Sequence, residues 1–362
     1  MTVAVVIDSS GSMEGPPLDA LASGLERLAS GMLERDKLAG VSFGTGASVA
    51  WTARPVADRS AREAALRRLR AGGSEDPVNG IRLALNLLRT PAREPEIRRL
   101  VLVTDWRSPH RRAEGPDALA PVLADLRDEG IAVTAVGLGP DFDEGVLVRI
   151  AEATGGVYVP VENPRDLPDA LQAFAYHCAN AALTGVRVQV APVGRTVANG
   201  GSVTLALPLP DIAWGEERRL LVPLRHGPRR PGQYVVASVS ASWTDATCGE
   251  RRTHRHDAMV DFGEPGADEA DGEVRTTLAG RAAVAVVRSA MEAYGGGRRS
   301  AVPVEAQLAV ASDALRTAGF GRLSERVDTV LDDLTAGRIR EPNKTLAAVV
   351  IEGSAGTASA LF

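Results

Sequence analysis

The stretch Val3 to Met13, VAVVIDSSGSM, constrains the fold of this chain more than any other. An apolar run of strand length ends abruptly at Asp8, and small hydroxyl residues follow it. An apolar run without polar alternation is typical of a strand buried on both faces, as in a parallel sheet covered by helices. Open α/β sheets bind ligands at the carboxyl ends of such strands. The stretch therefore predicts both a parallel sheet and the place of a binding site.

The residues that end this run offer oxygen atoms. Asp8, Ser10 and Ser12 stand at alternate positions, and Gly11 lets the backbone turn sharply between them. Carboxylate and hydroxyl oxygens suit a hard divalent cation, Mg²⁺ before Ca²⁺ or Mn²⁺. The alternative is an ordinary serine-rich turn that caps the next helix. The stretch taken alone leaves both interpretations open.

VVIDSSGSM resembles the first segment, D-x-S-x-S, of the metal-ion-dependent adhesion site (MIDAS) of von Willebrand factor type A (vWA) domains. In that family the two serines bind the metal directly, the aspartate holds it mainly through water, and two further loops complete the site. Two later segments match in the right order: AGGSEDPVNG, which contains Ser74, and RLVLVTD, which ends at Asp105. The resemblance covers roughly the first 180 residues. It implies a site for Mg²⁺ (or Mn²⁺/Ca²⁺) formed by Asp8, Ser10, Ser12, Ser74 and Asp105.

Two positions depart from the family pattern. Ser74 stands where the family usually has threonine, so the hydroxyl is kept but the methyl group that restricts its rotamers is lost. A helix-capping serine is the alternative at this position. Trp106 follows Asp105 where the family usually has glycine. A buried Trp106 would only pack, whereas an exposed one would contact a partner, and we predict the partner contact.

The resemblance also implies a binding mechanism. Two carboxylates leave a divalent cation electrophilic, and the sixth position of its octahedron is open to water or to a carboxylate from another protein. A partner's Asp or Glu would then complete the coordination. Glu75 and Asp76 lie close enough to Ser74 in the sequence to compete for that position, which would produce a self-latched site. We therefore group Glu75 and Asp76 with Trp106 as partner-binding candidates.

Strand and helix patterns alternate over residues 1–181, which predicts an α/β domain with a doubly wound, mostly parallel sheet. The pattern changes after it. Short apolar runs over 183–263 predict an antiparallel β-sandwich, with strands that include Arg219 to Leu224 and Ala258 to Phe262. Residues 264–273 read as an acidic linker and 274–340 as a helical hairpin or bundle. The tail, 341–362, has an apolar LAAVVI run that is a candidate strand returning to the sandwich.

Bulk properties exclude several classes of protein. A net charge of −5 over 362 residues argues against general nucleic-acid binding. No apolar run is long enough to span a membrane, and no signal peptide is recognised at the start. The two cysteines lie far apart, so we expect no disulfide framework and a cytoplasmic protein. His254 and His256 would share one face of a strand, but with no third ligand nearby we read them as an exposed pair.

These observations predict a non-enzymatic, metal-dependent protein-binding module or adaptor. It would work in a bacterial multi-protein system, with an ATPase, a kinase–phosphatase pair or a protease as possible associates. A structural assembly subunit whose metal site binds no partner is the first alternative, favoured by Ser74 and Trp106. A metal-dependent hydrolase is the second, and His110 is its only candidate base. No catalytic residue is assigned.

Overall fold

The structure is a computed structural model. It describes residues 1–44, 46–73, 77–89, 97–106, 116–139, 142–198, 204–209, 211–216, 220, 222, 224–263, 279–280, 282–290, 303–336, 346 and 349.

A six-stranded sheet forms the centre of the first domain, with the strand order β3-β2-β1-β4-β5-β6. Every neighbouring pair is parallel except β2 and β3, which form an antiparallel hairpin at one edge. The central position of β1 explains why its residues from Val3 to Ile7 are all apolar, because every residue of this strand is buried. The six strands are β1 (Thr2–Asp8), β2 (Lys37–Phe43), β3 (Ala47–Pro55), β4 (Arg98–Thr104), β5 (Ala132–Leu138) and β6 (Tyr158–Val161).

Helices cover both faces of this sheet, so the predicted α/β fold class is confirmed. Alternate residues of β1 belong to different cores: Ala4 and Val6 pack with α3, α4 and α5, whereas Val3, Val5 and Ile7 pack with α1, α2 and α6. Burial on both faces is the reason that the run lacks polar alternation. The helices are α1 (Pro16–Ser30), α2 (Ser60–Arg68), α3 (Pro77–Leu88), α4 (Pro116–Asp128), α5 (Glu144–Thr154) and α6 (Leu167–Ala179).

Antiparallel sheets follow α6 directly. A five-stranded sheet has the order β10-β7-β12-β13, with β9 also paired to β7, and β8 pairs with β11 in a second, two-stranded sheet. These are the antiparallel sheets that the fold class included. The strands are β7 (Ala181–Pro192), β8 (Thr196–Ala198), β9 (Leu205–Pro208), β10 (Ile212–Ala213), β11 (Leu224–His226), β12 (Gly232–Asp245) and β13 (Arg251–Phe262).

Two strand predictions in this region need correction. The strand expected over Arg219 to Leu224 begins only at Leu224 among the described residues, because residues 220 and 222 are not in a strand. The strand expected over Ala258 to Phe262 begins at Arg251 instead. Its first half is rich in arginine and histidine and lacks an apolar alternation, and pairing with β12 along its whole length makes it a strand.

Three helical segments form the C-terminal region: α7 (helical at 279–280 and 282–290), α8 (Val304–Thr317) and α9 (Gly321–Thr335). Gly319 has φ +80° in the turn between α8 and α9, a left-handed conformation that glycine adopts readily. In the tail, Leu346 and Val349 are helical and buried in the apolar cluster of α7, α8 and α9. The candidate strand returning to the sandwich is therefore wrong at these residues, because their apolar side chains pack on the helices. The predicted acidic linker, 264–273, lies outside the described residues.

Ion pairs join the first domain to the regions that follow it. Arg99, on β4, pairs with Asp211, which lies just before β10, and both side chains are almost fully buried. Arg288 of α7 binds Glu152 of α5, with its Nη2 2.7 Å from Oε1. Among the described residues, two ion pairs thus link the first domain to the regions that follow it.

Candidate functional site

The candidate site lies where β1 and β4 end side by side. The two strands are parallel neighbours with Ile7 opposite Val103, so Asp8 and Asp105 come to the same edge of the sheet. Both carboxylates are buried, Asp8 at 0% exposure and Asp105 at 4%. The carboxyl end of a parallel sheet is the place where such folds bind ligands. The structure therefore brings together two of the predicted metal ligands.

Hydrogen bonds hold Asp8 in one orientation. The Thr104 hydroxyl donates to Asp8 Oδ2 at 2.5 Å, and the backbone N–H of Ser10 donates to Asp8 Oδ1 at 2.8 Å. The backbone N–H of Trp106 donates to Thr104 Oγ1 at 2.8 Å, which aims the threonine at Asp8. Sequence reasoning missed Thr104. Its position directly before Asp105, at the end of β4, was the signal that could have found it.

The serines stand together next to Asp8. Ser10 Oγ and Ser12 Oγ are 2.9 Å apart. Gly11, Ser12 and Met13 form a single 3-10 turn, and the buried Met13 side chain anchors that turn in the core. Two hydroxyl oxygens at this separation can both contact one small cation. Ser10 and Ser12 are thus brought together as predicted, on the same side as the carboxylate of Asp8.

The electrostatics of the site favour a cation. Burial raises the pKa of Asp8 above its usual value, and the negative charge of Asp105 raises it further. Hydrogen bonds from Thr104 and Ser10 act in the opposite direction and lower the pKa in part. Two buried carboxylates therefore destabilise each other's charge. A divalent cation between the loops would relieve that repulsion, so the all-oxygen donor set fits Mg²⁺.

The predicted loop that contains Ser74 begins next to the site. The backbone N–H of Gly72 donates to the carbonyl of Ser9 at 2.8 Å, and a Cβ added at Gly44 would lie only 2.7 Å from the Gly72 carbonyl oxygen. The chain therefore passes the end of β1 closely before it enters α3. Ser74, Glu75 and Asp76 lie outside the described residues, as does His110, and their roles stay predictions.

Trp106 is half-buried. Its ring packs against the core cluster of α3, α4 and α5, and its carbonyl accepts a hydrogen bond from the backbone N–H of Asp143 at 2.8 Å. Asp143 caps α5 by accepting from the backbone N–H of Val146. Trp106 therefore lies between the two alternatives, since part of the residue packs in the core and part is accessible, and the partner contact stays a prediction.

Among the described residues, His, Cys, Asp and Glu side chains form no group of three or more that would suit a metal ion. His254 and His256 are exposed on β13, as expected. Within the same described part of the chain, every helix is too short or too polar to cross a bilayer.

Comparisons with known proteins agree with this architecture. The chain is 25% identical over 269 residues to sll0103, an uncharacterized protein of Synechocystis sp., and the match covers 69% of this chain and 63% of that protein, less than two thirds of its length. A von Willebrand factor type A structure from Catenulispora acidiphila has a TM-score of 0.79 at 18% identity, covering 99% of this chain and 90% of that one. The ArnB paralog VWA2 from Sulfolobus acidocaldarius has a TM-score of 0.64 at 13% identity, covering 98% and 89%.

The structural similarity to both proteins extends over the vWA-like sheet, the antiparallel sheets and the C-terminal helices, since nearly the whole chain is covered. At these identities it shows the fold. The family model of the von Willebrand factor type A domain matches residues 2–173, which contain the six-stranded sheet, helices α1 to α5 and the first half of α6. Residues 2–173 are a von Willebrand factor type A domain.

Proposed function

We propose that this protein is a metal-dependent protein-binding module whose cation accepts a carboxylate from a partner protein. The observation that carries the proposal is the convergence of Asp8, Ser10, Ser12 and Asp105 at the carboxyl ends of β1 and β4. vWA domains often serve as protein-interaction modules, which supports the same class of function.

Each residue has a distinct part in this proposal. The hydroxyls of Ser10 and Ser12 would contact the cation, and Ser74 would add a third hydroxyl. Asp105 would supply negative charge, and Asp8, held by Thr104, would orient the serine loop through the N–H of Ser10. The bound cation supplies an electrophilic centre for an incoming carboxylate. Trp106 would offer accessible ring surface beside that centre to the partner.

Protein binding is favoured over catalysis by the chemistry of the described site. It consists of carboxylates and hydroxyls, and the hydroxyl of Ser9, the nearest additional oxygen nucleophile, already donates to the Phe43 carbonyl at 2.8 Å. A hydrolase would need a base positioned to activate a nucleophile or water. The donor set described at the site, two carboxylates with serine and threonine hydroxyls, suits a hard cation, and the only candidate base from the sequence, His110, lies outside the described residues. We therefore propose an adaptor without enzymatic activity, working in a bacterial multi-protein system in the cytoplasm.

The test uses the full chain immobilised as bait in lysate of its native host, with Mg²⁺ or with EDTA. We expect one or more proteins to bind only with Mg²⁺ and to be lost with the Asp105→Ala variant and with the Ser10→Ala/Ser12→Ala variant. Ser42 and Ser48, a second pair of serine hydroxyls 3.3 Å apart on β2 and β3, provide the matched control, and Ser42→Ala/Ser48→Ala should keep the partner.

Isothermal titration with Mg²⁺ alone separates metal binding from partner binding. Wild-type protein should bind the ion, and Asp105→Ala should not. Identical captured proteins in Mg²⁺ and EDTA would contradict the proposal. Mg²⁺ binding without any Mg²⁺-dependent partner would instead support a structural metal site.

A further inference from the structure

The antiparallel sheet ends in an exposed strand, β13. Its residues are exposed except for Ala258 and Phe262, which are half-buried, and among the described residues only β12 pairs with it. The strand includes Met259, 54% exposed, and Val260, 39% exposed. A long exposed edge strand presents unpaired backbone N–H and C=O groups, so it is a template for pairing with another strand.

The side chains of β13 alternate regularly between the two faces of the sheet. The irregularities in the β12–β13 ladder lie between Val235 and Ala237 on β12, so β13 keeps the simple period of two. One face of β13 is next to the serine and threonine side chains of β12, since Arg255 lies opposite Ser240 and Asp257 opposite Ser238. On β13, that polar face carries Arg251, Thr253, Arg255, Asp257, Met259 and Asp261.

The order of charges on this face is self-complementary. Positive residues occupy its first half and negative residues its second half. When two copies of one strand pair antiparallel about a two-fold axis, the first half of each strand faces the second half of the other. With the axis at His256, Arg255 faces Asp257 of the other copy, and Arg251 faces Asp261 of the other copy. Each pair occurs twice, and residues 251–261 overlap fully.

The neighbouring registers, with the two-fold axis one residue earlier or later, do not place opposite charges opposite one another in this way. An axis at Arg255 would place two arginines opposite each other, and an axis at Asp257 would do the same with two aspartates. Like charges directly opposite one another destabilise a strand pair, whereas opposite charges stabilise it. Registers with the axis further along the strand shorten the overlap. Charge and length thus select the same register, the one centred on His256.

We infer that two copies of this chain associate through β13, in an antiparallel pairing centred on His256 that joins their two antiparallel sheets into one. The pairing gives hydrogen-bond partners to the backbone N–H and C=O groups at the exposed edge of β13. It also brings Met259 opposite Thr253 of the other copy. The paired residues, 251–261, include none of the candidate metal-site residues. The result is a bivalent arrangement of the candidate metal sites, and the inference itself does not depend on those sites being functional.

Charge reversal tests the pairing. Sedimentation equilibrium of the full chain, at concentrations up to about 100 μM to cover weak dimers, should show a dimer. Arg255→Asp and Asp257→Arg should each weaken the dimer about tenfold or more, since each places like charges opposite one another. The matched control is Arg165→Asp, which changes an exposed arginine of the vWA domain and should leave the dimer unchanged.

Mixing the two charge-reversal variants makes the test specific for the register. In a mixed pair, the two aspartates of the Arg255→Asp chain face the two arginines of the Asp257→Arg chain. Equimolar mixing should therefore restore a dimer, and the double variant Arg255→Asp/Asp257→Arg should dimerise with itself. Circular dichroism of every variant confirms that the fold is kept.

A cross-link locates the two-fold axis. Cys248 is exposed, so it is first changed to serine. In that background His256→Cys should form an intermolecular disulfide under mild oxidation, whereas Arg252→Cys, near the end of the strand, should not. A wild-type chain that stays monomeric over the whole concentration range would overturn the inference. The charges of β13 would then serve to prevent pairing of this edge strand. A dimer that tolerates Arg255→Asp, or fails to cross-link through His256→Cys, would also overturn it.

Discussion

The buried ion pair between Arg99 and Asp211 gives the sharpest prediction about stability. The two side chains are 4% and 6% exposed, and Arg99 donates to Asp211 through both Nε, at 2.9 Å, and Nη2. Arg99→Met removes the positive partner and leaves a carboxylate buried between the vWA domain and the antiparallel sheet. Removing one partner of a buried pair typically costs about 3–5 kcal/mol, because the remaining charge has lost both water and its counter-ion.

Urea denaturation followed by tryptophan fluorescence and by circular dichroism measures this loss. We expect the unfolding midpoint of Arg99→Met to fall by an amount that corresponds to that range. The double variant Arg99→Met/Asp211→Leu should recover most of the stability, since a well-packed apolar pair of similar volume can replace a buried ion pair at little cost. The recovery distinguishes an unpaired charge from a simple loss of packing.

An exposed pair supplies the control. Arg54 and Asp58 form an i,i+4 ion pair on the surface of the vWA domain, with Nη1 3.1 Å from Oδ2. Solvent screens such a pair, so Arg54→Met should leave the midpoint almost unchanged. The reasoning is refuted if Arg99→Met shifts the midpoint no more than Arg54→Met does. It is also refuted if the double variant is as unstable as the single one.

Three further predictions concern other parts of the molecule. Burial raises the pKa of Cys178 to about 12, whereas Cys248 is exposed. A thiol reagent at neutral pH should therefore modify only Cys248 in the native protein and both thiols in denaturant, which mass spectrometry can measure. Rapid labelling of Cys178 in the native protein would contradict this prediction. Burial and the charge of Asp105 raise the pKa of Asp8 in the folded protein. In EDTA, the free energy of unfolding should therefore fall as the pH rises from the carboxyl pKa of the unfolded chain through the raised pKa of the folded protein, and either Asp105→Asn or added Mg²⁺ should reduce that fall. Melting temperatures with the same pH dependence in EDTA and in Mg²⁺ would contradict this prediction. Gly155 has φ +69°, and an added Cβ would lie 2.8 Å from the carbonyl oxygen of Leu209, the residue after β9. Gly155→Ala should therefore lower the free energy of unfolding by about 1–2 kcal/mol or more. A melting temperature equal to that of the wild type would contradict this prediction.

The parts of the fold that sequence reasoning predicted best are those with a strong local pattern. β1 is a run of apolar residues because both of its faces are covered, and the strand ends at Asp8, where the apolar run of the sequence ends. In the candidate site, Asp8 and Asp105 were found because each interrupts a buried apolar strand at its carboxyl end. Ser10 and Ser12 were found from their alternate positions after Asp8, and the resemblance to vWA domains added Ser74 and the order of the three segments.

Elements that depend on distant partners were predicted poorly. The first half of β13 has no apolar alternation, and it is a strand because β12 lies beside it in register from Thr244 to Gly232. The helical placement of Leu346 and Val349 follows from the apolar surface that α7, α8 and α9 offer. In both cases the local sequence permits several structures, and the neighbour that supplies hydrogen bonds or apolar contact selects one.

The amino-acid sequence was enough to establish a parallel α/β domain with a carboxylate at the ends of two strands, since buried strands must be apolar and a charge can stand only where they end. Tertiary structure alone decided which side chain holds Asp8, namely Thr104, because that hydrogen bond joins residues far apart in the chain. It alone paired Arg99 with Asp211, and it alone left the charged edge of β13 open. Contacts of this kind arise from the packing of whole elements, and no periodicity within one segment encodes them.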